Sequence, residues 1–266
     1  MLGQSNYPID LIRKNGQSVN MSEATSRTEL GHTAREQIKL AARQLFAARG
    51  IDGVSVREIV DASGQKNHGS LSYYFGTKEA LVRELVTDGA KLIDNRRNAY
   101  LDLLESRGGP NDIREVVEAL VYPSVNLSEE TETAEDSYIR FITLLGMSHH
   151  NLFMEALENR WNSGYLRCLD HLRRLMPDMP NAAKNQRFVF LGVYISGVIA
   201  AREAALADRS RPHPMWQAEA TLSHFIDTIT AMLTAPLDPT LAASWHSNGT
   251  EEGPRAIVGS VGMILD

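Results

Sequence analysis

The chain of 266 residues contains a single cysteine, Cys168. One cysteine cannot form an intramolecular disulfide, and it excludes zinc modules built from several cysteines. The longest nearly continuous apolar run, residues 188–201, is shorter than the roughly 18–20 residues of a membrane-spanning helix, so it predicts a buried core helix. The first ten residues lack a charged leader followed by an apolar stretch. We therefore expect a cytoplasmic location and no membrane partner.

Several other patterns are missing. No period-two alternation of useful length and no internal repeat is found, which leaves helical periodicity and predicts an all-α protein. The G-x-S-x-G, P-loop, dinucleotide-binding and zinc-hydrolase signatures are also missing, so we predict no enzyme, no metal and no cofactor. The adjacent His149 and His150 are not a metal motif, because neighbouring residues on a helix point about 100° apart.

The charge is unevenly distributed along the chain. The formal net charge is −6, yet residues 33–79 hold seven basic and five acidic side chains, a local charge of +2 that leaves −8 for the rest. A locally basic head on an acidic body favours binding of nucleic-acid phosphates at one end of the protein.

Composition and apolar periodicity divide the chain into four parts. Residues 1–30 predict a flexible arm, 31–78 a helix-turn-helix domain, 79–234 a larger helical domain, and 235–266 a flexible tail. The larger domain begins with a long helix from Thr77 toward Arg107. Further helices are predicted at about 112–122, 134–147, 151–176, 182–207 and 215–233, separated by prolines and loop residues.

Three helices are predicted in residues 33–75. The first starts at Thr33, carries an apolar stripe that includes Ile38 and Phe46, and ends at Gly50. Ser55 and Glu58 stand at capping-box spacing and predict the start of a short second helix. The segment 67–75 forms the third. Short helices joined by a glycine-containing turn are the outline of a helix-turn-helix unit.

The sequence of this region resembles that of a known protein family. Residues 34–50 read A-R-E-Q-I-K-L-A-A-R-Q-L-F-A-A-R-G, residues 54–64 V-S-V-R-E-I-V-D-A-S-G, and residues 71–81 L-S-Y-Y-F-G-T-K-E-A-L. In this order and spacing they resemble the DNA-binding domain of TetR-type transcriptional regulators. The turn Q-K-N-H-G-S at 65–70 is slightly longer than the family's usual turn, and Ser72 replaces a frequent aromatic residue.

The resemblance implies a ligand-responsive transcriptional regulator, by default a repressor. Such a protein binds a palindromic operator on double-stranded DNA as a homodimer and is released by a small molecule. The alternative is a helical ligand carrier or partner-binding module without DNA affinity.

Polar residues around the third helix are the candidate DNA contacts. The base-edge candidates are Asn67, His68, Ser70 and Ser72, with Gly69 permitting close backbone approach and Lys66 beside them. The phosphate candidates are Tyr73 or Tyr74, Thr77, Lys78 and the helix end led by Ser55. Arg57 suits either a guanine edge or a phosphate. Lys78 lies at the positive end of a helix, which is unfavourable without a nearby anion and favours a phosphate contact. Tyr74 fits a core position equally well, and Phe75 fits one better.

The helix at 182–207 is apolar nearly all round between residues 188 and 201, so other protein must cover every side of it. Together with the helix at 215–233 it predicts a four-helix dimer interface, the role that the resemblance implies. The candidate interface residues are Gly192, Val193, Ser196, Ala200, Leu222, Phe225, Ile226 and Ile229. The alternative is a core within one chain.

The resemblance also implies an effector pocket among the middle helices, lined by apolar and a few polar groups. The candidates are Phe141, Met147, His150, Met154, Trp161 and Tyr165. Trp161 and Tyr165 stand four apart and are expected to share one helical face. We expect an apolar or aromatic small molecule that acts by tilting the long helix from Thr77, which changes the separation of the recognition helices.

Overall fold

A computed structural model of the protein describes residues 26–129, 136–158 and 160–240. These residues form eleven α-helices and two short 3-10 helices, and no strand occurs among them, which confirms the all-α prediction. Most of the predicted arm, residues 1–25, and most of the predicted tail, residues 241–266, lie outside the described residues.

The helices follow one another along the chain as α1 Ser26–Arg49, α2 Val56–Ala62, α3 Ser70–Phe75, α4 Lys78–Ser106, α5 Ile113–Val121, α6 Tyr138–Ser148, α7 His150–Leu157, α8 Ser163–Leu175, α9 Asn181–Ala207, α10 Pro214–Gln217 and α11 Glu219–Thr234. The 3-10 helices are Tyr122–Ser124 and Leu127–Glu129, both between α5 and α6. Helices α1 to α3 form a head, and α4 leads from the head into the helical body.

Three predicted boundaries differ from the structure. Helix α1 begins at Ser26, because the apolar stripe that predicted a start at Thr33 marks only its packed part, and a polar segment can extend a helix. The helix predicted over 151–176 is two helices, broken where Glu158 and Trp161 adopt positive φ. The helix predicted over 215–233 is divided at Ala218, whose backbone is extended. Neither break contains a proline or glycine that would have predicted it.

Helix α4 is the centre of the body, and α7 and α8 pack along it. Its buried Arg97 donates to the carbonyl oxygens of Ala119 (3.3 Å) and Leu120 (3.2 Å), at the negative end of α5. One turn earlier, Asp94 accepts from the backbone amide of Gly164 at 2.8 Å, at the start of α8. These two buried side chains therefore tie α5 and α8 to α4. Cys168 of α8 is buried in the same region.

Helix α6 lies between the head and α9, and it packs against α1 on one side and against α9 on the other. Phe46 of α1 stacks on Phe141 of α6 with ring centroids 5.9 Å apart. The hydroxyl of Tyr138 donates to the carbonyl oxygen of Val86 on α4 at 2.8 Å. Helix α6 thus holds the head, the body and α9 together.

Helix α9 is, by length and composition, apolar enough to cross a membrane, with a mean hydropathy of 1.6 over an 18-residue window. The apolar run at 188–201 alone suggested otherwise, because the helix extends beyond that run. Its inner face, with Phe188, Leu191 and Ile195, is buried in the body. The side chain of Glu203 is also buried and bonded to α6, as expected of a helix packed within a protein.

Replacement of Gly89 by alanine is expected to destabilise the protein, although alanine is the better helix former. A Cβ at position 89 would lie 2.1 Å from Cε2 of Tyr138, and ring and helix cannot separate without repacking. We expect Gly89→Ala to lower the free energy of unfolding by about 1–3 kcal/mol, measured by urea denaturation. In a Tyr138→Leu background the same change should be close to neutral, because the ring atoms are gone. An equal loss in both backgrounds would contradict this explanation.

Candidate nucleic-acid interface

The head has a closed apolar core, and one of its surfaces takes no part in that packing. Ile38 and Phe46 of α1, Ile59 and Val60 of α2 and Leu71 of α3 are all buried. Leu71 faces inward, so its neighbours Ser72 and Tyr73 face solvent. The helix-turn-helix unit predicted from the spacing is therefore formed, with the third helix shortened to Ser70–Phe75.

The capping box predicted at the start of α2 is present. The amide and hydroxyl of Ser55 both donate to the Glu58 carboxylate at 2.8 Å, and the Glu58 amide donates back to the Ser55 hydroxyl at 3.3 Å. Arg49 also donates to this carboxylate at 2.8 Å. The Ser55 amide bond, followed by the bond from Arg49, lowers the pKa of Glu58 to about 2. The positive end of α2 thus already holds an anion, and the amide and hydroxyl of Ser55 are both bonded to it. A phosphate contact at this helix end stays a prediction.

The turn before α3 is built by side chains that were predicted to contact bases. The Asn67 Oδ1 atom accepts from the Gly69 amide at 2.9 Å. The Ser70 hydroxyl donates to the carbonyl oxygen of Asn67 at 2.7 Å. Asn and Ser bond to nearby backbone in this way at helix starts. These two residues therefore set where α3 begins, and the Asn67 side-chain nitrogen takes no part in these bonds.

The exposed side chains around α3 form a single polar surface, here called the α3 surface. Its members are Arg57, Lys66, His68, Ser72 and Tyr73, all exposed. Tyr73 is 83% exposed, and nothing in the core accounts for an aromatic ring there. Asp61 lies between two of these side chains, with Nε of Arg57 at 3.7 Å and Nδ1 of His68 at 3.8 Å.

The sequence left open whether Tyr73 or Tyr74 faces outward. Tyr74 and Phe75 are half-buried and pack on the head core, and the guanidinium of Arg35 lies 4.8 Å from the centre of the Phe75 ring. The greater exposure of Tyr73 makes it the better candidate for contact with a ligand outside the head.

Lys78 has a different environment from the predicted one. Its Nζ donates to the carbonyl oxygens of Ile51 (3.0 Å) and Val54 (3.1 Å), in the turn between α1 and α2. Backbone acceptors therefore satisfy the ammonium at this helix start, and the argument that only an anion could do so is wrong. Thr77 is the N-cap of α4, and its hydroxyl accepts from the Ala80 amide at 3.1 Å.

The candidate pocket residues do not share one environment. Phe141 is buried against Phe46 of α1, whereas Met147 on the same helix is 67% exposed. Trp161 lies in the loop before α8 and shares no helical face with Tyr165, which corrects that pairing. The Tyr165 hydroxyl is buried, and no described residue bonds to it. His150 borders an open depression of about 390 Å³ formed by residues 148–152, and Met154 is half-buried.

The candidate interface residues also divide into two groups. Buried within the chain are Gly192, Ser196, Phe225, Ile226 and Ile229, while Ala200 and Leu222 are half-buried. For the buried group the intrachain alternative is correct, because α9 and α11 pack on α6 and α5. Val193 is 49% exposed, and beside it lie Phe190, 56% exposed, and Tyr194, which sequence analysis missed. Their i, i+3, i+4 spacing was visible but was hidden in a run that looked apolar on all sides.

The contacts that join head and body were also missed. The Arg43 Nε donates to the Ser137 hydroxyl at 3.1 Å, and Nε2 of His149 lies 3.2 Å from Oδ2 of Asp52. Each pair joins residues more than ninety positions apart. No local spacing could have indicated them.

Loss of the Lys78 ammonium should destabilise the head. Replacement by methionine keeps the stem but removes both bonds to the α1–α2 turn. We expect the free energy of unfolding to fall by about 1–3 kcal/mol, since hydrogen bonds to charged groups contribute at this level. Lys66→Met, at an exposed position, should change it by less than about 0.5 kcal/mol. Equal effects of the two variants in chemical denaturation would contradict the structural role of Lys78.

Comparisons with known proteins found similarity to one protein family and to two individual proteins. The model of the family described as bacterial regulatory proteins, tetR family, matches residues 38–85, from α1 into α4. The HTH-type transcriptional repressor KstR2 of Rhodococcus jostii (strain RHA1) is 32% identical over 104 residues, which are 39% of this chain and 48% of that protein. The match thus spans about half the length of that curated relative. The solved structure of Salmonella enterica GusR aligns with 80% of this chain and 99% of its own, at 17% identity and a TM-score of 0.39. The part of the chain from Ile38 in α1 to Leu85 in α4 is thus similar to the N-terminal domain of tetR-family regulators.

Proposed function

We propose that this protein is a transcriptional repressor that binds a palindromic operator on double-stranded DNA as a homodimer, in the cytoplasm, and is released by a small molecule. The observation that carries the proposal is the α3 surface on a head whose apolar core is already closed. Cationic, hydroxyl and aromatic side chains are exposed there together, which is the composition that groove binding uses. The repressor KstR2, similar over 104 residues, supports the same assignment.

We assign the proposed contacts to two roles, according to the exposure of the side chains. His68 and Ser72 are exposed at the turn and on the outer face of α3, and Asn67 keeps its amide nitrogen available, so these side chains suit base edges. Lys66, Tyr73 and, at the cap of α4, Thr77 suit phosphates. Arg57 retains both possibilities, because its long side chain is exposed beside Asp61.

The homodimer is proposed through one exposed face of α9, here called the α9 stripe. Its members are Phe190, Val193, Tyr194, Gly197, Ala201 and Ala204, all exposed. A Cβ at Gly197 would meet nothing within 4 Å, so the middle of the stripe is open. A continuous apolar face of this kind favours a second protein surface, and the same stripe on two copies gives a twofold interface. Two heads related by that axis require two inverted half-sites.

The effector is proposed to be an apolar or aromatic small molecule that binds in the body and acts through α4. Helix α4 is capped at the head by Thr77 and runs to Ser106, with α7 and α8 packed along it. The buried Tyr165 hydroxyl next to α4 is a polar group that a bound molecule could satisfy. Equal DNA affinity with and without a saturating bound molecule would contradict this part of the proposal.

DNA binding is tested with the DNA immediately upstream of the gene in a gel shift across a range of salt concentrations. Affinity should fall steeply with salt, because bound cations release counterions from the phosphates. Lys66→Ala should weaken binding to all sequences alike and reduce the salt slope by about 1, whereas His68→Ala should change the sequence preference. A protein that binds no duplex at low salt, yet binds small molecules, would be the ligand carrier of the alternative reading.

The dimer is tested by placing a charge on the α9 stripe. Val193→Arg should convert the dimer to monomer in sedimentation velocity, because an unpaired guanidinium would be buried at the interface. Leu166→Arg is the matched control, since Leu166 of α8 is 42% exposed and lies outside the stripe. The control should remain dimeric. A dimer that survives Val193→Arg places the interface elsewhere.

A further inference from the structure

Helix α6 does not supply its own N-terminal cap. The side chain of its N-cap residue, Ser137, makes no capping bond, and its hydroxyl accepts from Arg43 of the head instead. The acceptors for the first amides come from α9, where Glu203 accepts from the amide of Ile139 at 3.1 Å and from that of Arg140 at 2.7 Å. A helix start without its own cap leaves amides that need a partner. Glu203 provides that partner from a distant helix.

The helix that Glu203 caps is the one on which the head rests. At its start, Ser137 is bonded to Arg43; in its middle, Phe141 stacks on Phe46; and past its end, His149 faces Asp52. These contacts run from one end of α6 to the other, so a shift of α6 moves the support of the head. At its start, α6 therefore bonds both to α9, through Glu203, and to the head, through Arg43.

The Glu203 carboxyl is 2% exposed, and this burial opposes its charged form. Burial raises the pKa of Glu203 to about 7, although the hydrogen bonds from the two backbone amides act in the opposite direction and lower it. Among the charged neighbours, Asp136 before α6 raises this pKa further, and Arg140 on α6 lowers it. Two more guanidinium groups belong to this region, Arg43 bonded to Ser137, and Arg202 bonded to Asn126.

We infer that Glu203 is a positioning residue for the DNA-binding head, and that uptake of a proton on its carboxylate loosens the start of α6 and lowers DNA affinity. The ionised carboxylate offers an acceptor to each of two amides and a negative charge to the positive helix end. The protonated acid has lost the negative charge, and its hydroxyl oxygen is a weaker acceptor for the second amide. The inference rests on the proposed DNA binding.

As the pH falls, the contribution of Glu203 to the free energy of unfolding should rise, whereas DNA affinity should fall. A raised pKa means that the folded state holds a proton that the unfolded state has released. The stabilising contribution of the neutral acid is complete below about pH 4.5 and is lost as the pH rises through about 7. Ionised Glu203 therefore lowers global stability while it fixes α6. A residue with a purely structural role would move stability and DNA affinity together.

The test compares the wild type with Glu203→Gln, which resembles the neutral acid at every pH. With the upstream DNA fragment as probe, the variant should bind about five-fold more weakly or worse at about pH 8.5, and the two should converge near pH 6. Comparing the two proteins at each pH cancels the effect of titration elsewhere in the protein. The thermal midpoint of the wild type, relative to the variant, should rise as the pH falls. A ratio of affinities that does not change with pH would overturn the inference.

Two further variants control for local and general effects. Glu155→Gln removes an exposed body carboxylate that pairs with Arg83, and it should follow the wild type at both pH values. Ser137→Ala cuts the bond from Arg43 without changing Glu203, and it should weaken DNA binding at both pH values. Wild-type affinity in Ser137→Ala would overturn the link between α6 and the head.

Hydrogen exchange on the free protein separates this inference from the proposed function. After correction for intrinsic rates, the amides of Ile139 and Arg140 should exchange faster in Glu203→Gln than in the wild type at about pH 8.5, and equally near pH 6. If the wild type binds no DNA, the proposed function fails while this measurement still decides the cap. Equal protection in both proteins at both pH values would overturn the role of Glu203.

Discussion

The burial of α6 between α1 and α9 is the packing on which the rest of the arrangement depends. The Phe46–Phe141 stack and the Tyr138 ring against Gly89 join three helices that are distant in the chain. Without this layer the head would be connected to the body only through α4. With it, the orientation of the head becomes a property of the whole molecule. The same packing leaves one face of α9 exposed, because α6 covers only the other.

Local rules account well for the head. The apolar stripe of α1 and the Ser55–Glu58 capping box are short-range patterns that form as predicted, and the long helix predicted from Thr77 begins there, with Thr77 as its N-cap. The two caps involve residues within four positions, and the stripe repeats at helical spacing, so helix geometry determines these contacts. The all-α fold and the similarity of the head to the tetR family were predictable because both depend on such local patterns. The roles of the residues in the turn before α3 were less predictable, since Asn67 and Ser70 are polar side chains near the surface that bond to the nearby backbone.

Long-range contacts account for what the sequence could not predict. Lys78 seemed to need an anion, because its acceptors, the carbonyls of Ile51 and Val54, belong to a turn more than twenty positions away. The apolar run at residues 188–201 predicted a helix covered by protein on every side, because hydropathy alone does not show which side of α9 packs against α6. The candidate pocket residues were divided similarly, since Phe141 and Met147 share a helix but one is buried and the other exposed. Apolar periodicity identifies helices, and only tertiary packing assigns their faces.

The environment of Cys168 has a consequence for the signals that this protein can sense. The side chain is fully buried on α8, and burial raises the pKa of its thiol to about 12. Oxidants and electrophiles react with the thiolate, and near neutral pH almost none is present at this position. The single sulfhydryl is therefore inert toward peroxides and alkylating agents while the fold is intact, and a change in cellular redox state leaves it untouched.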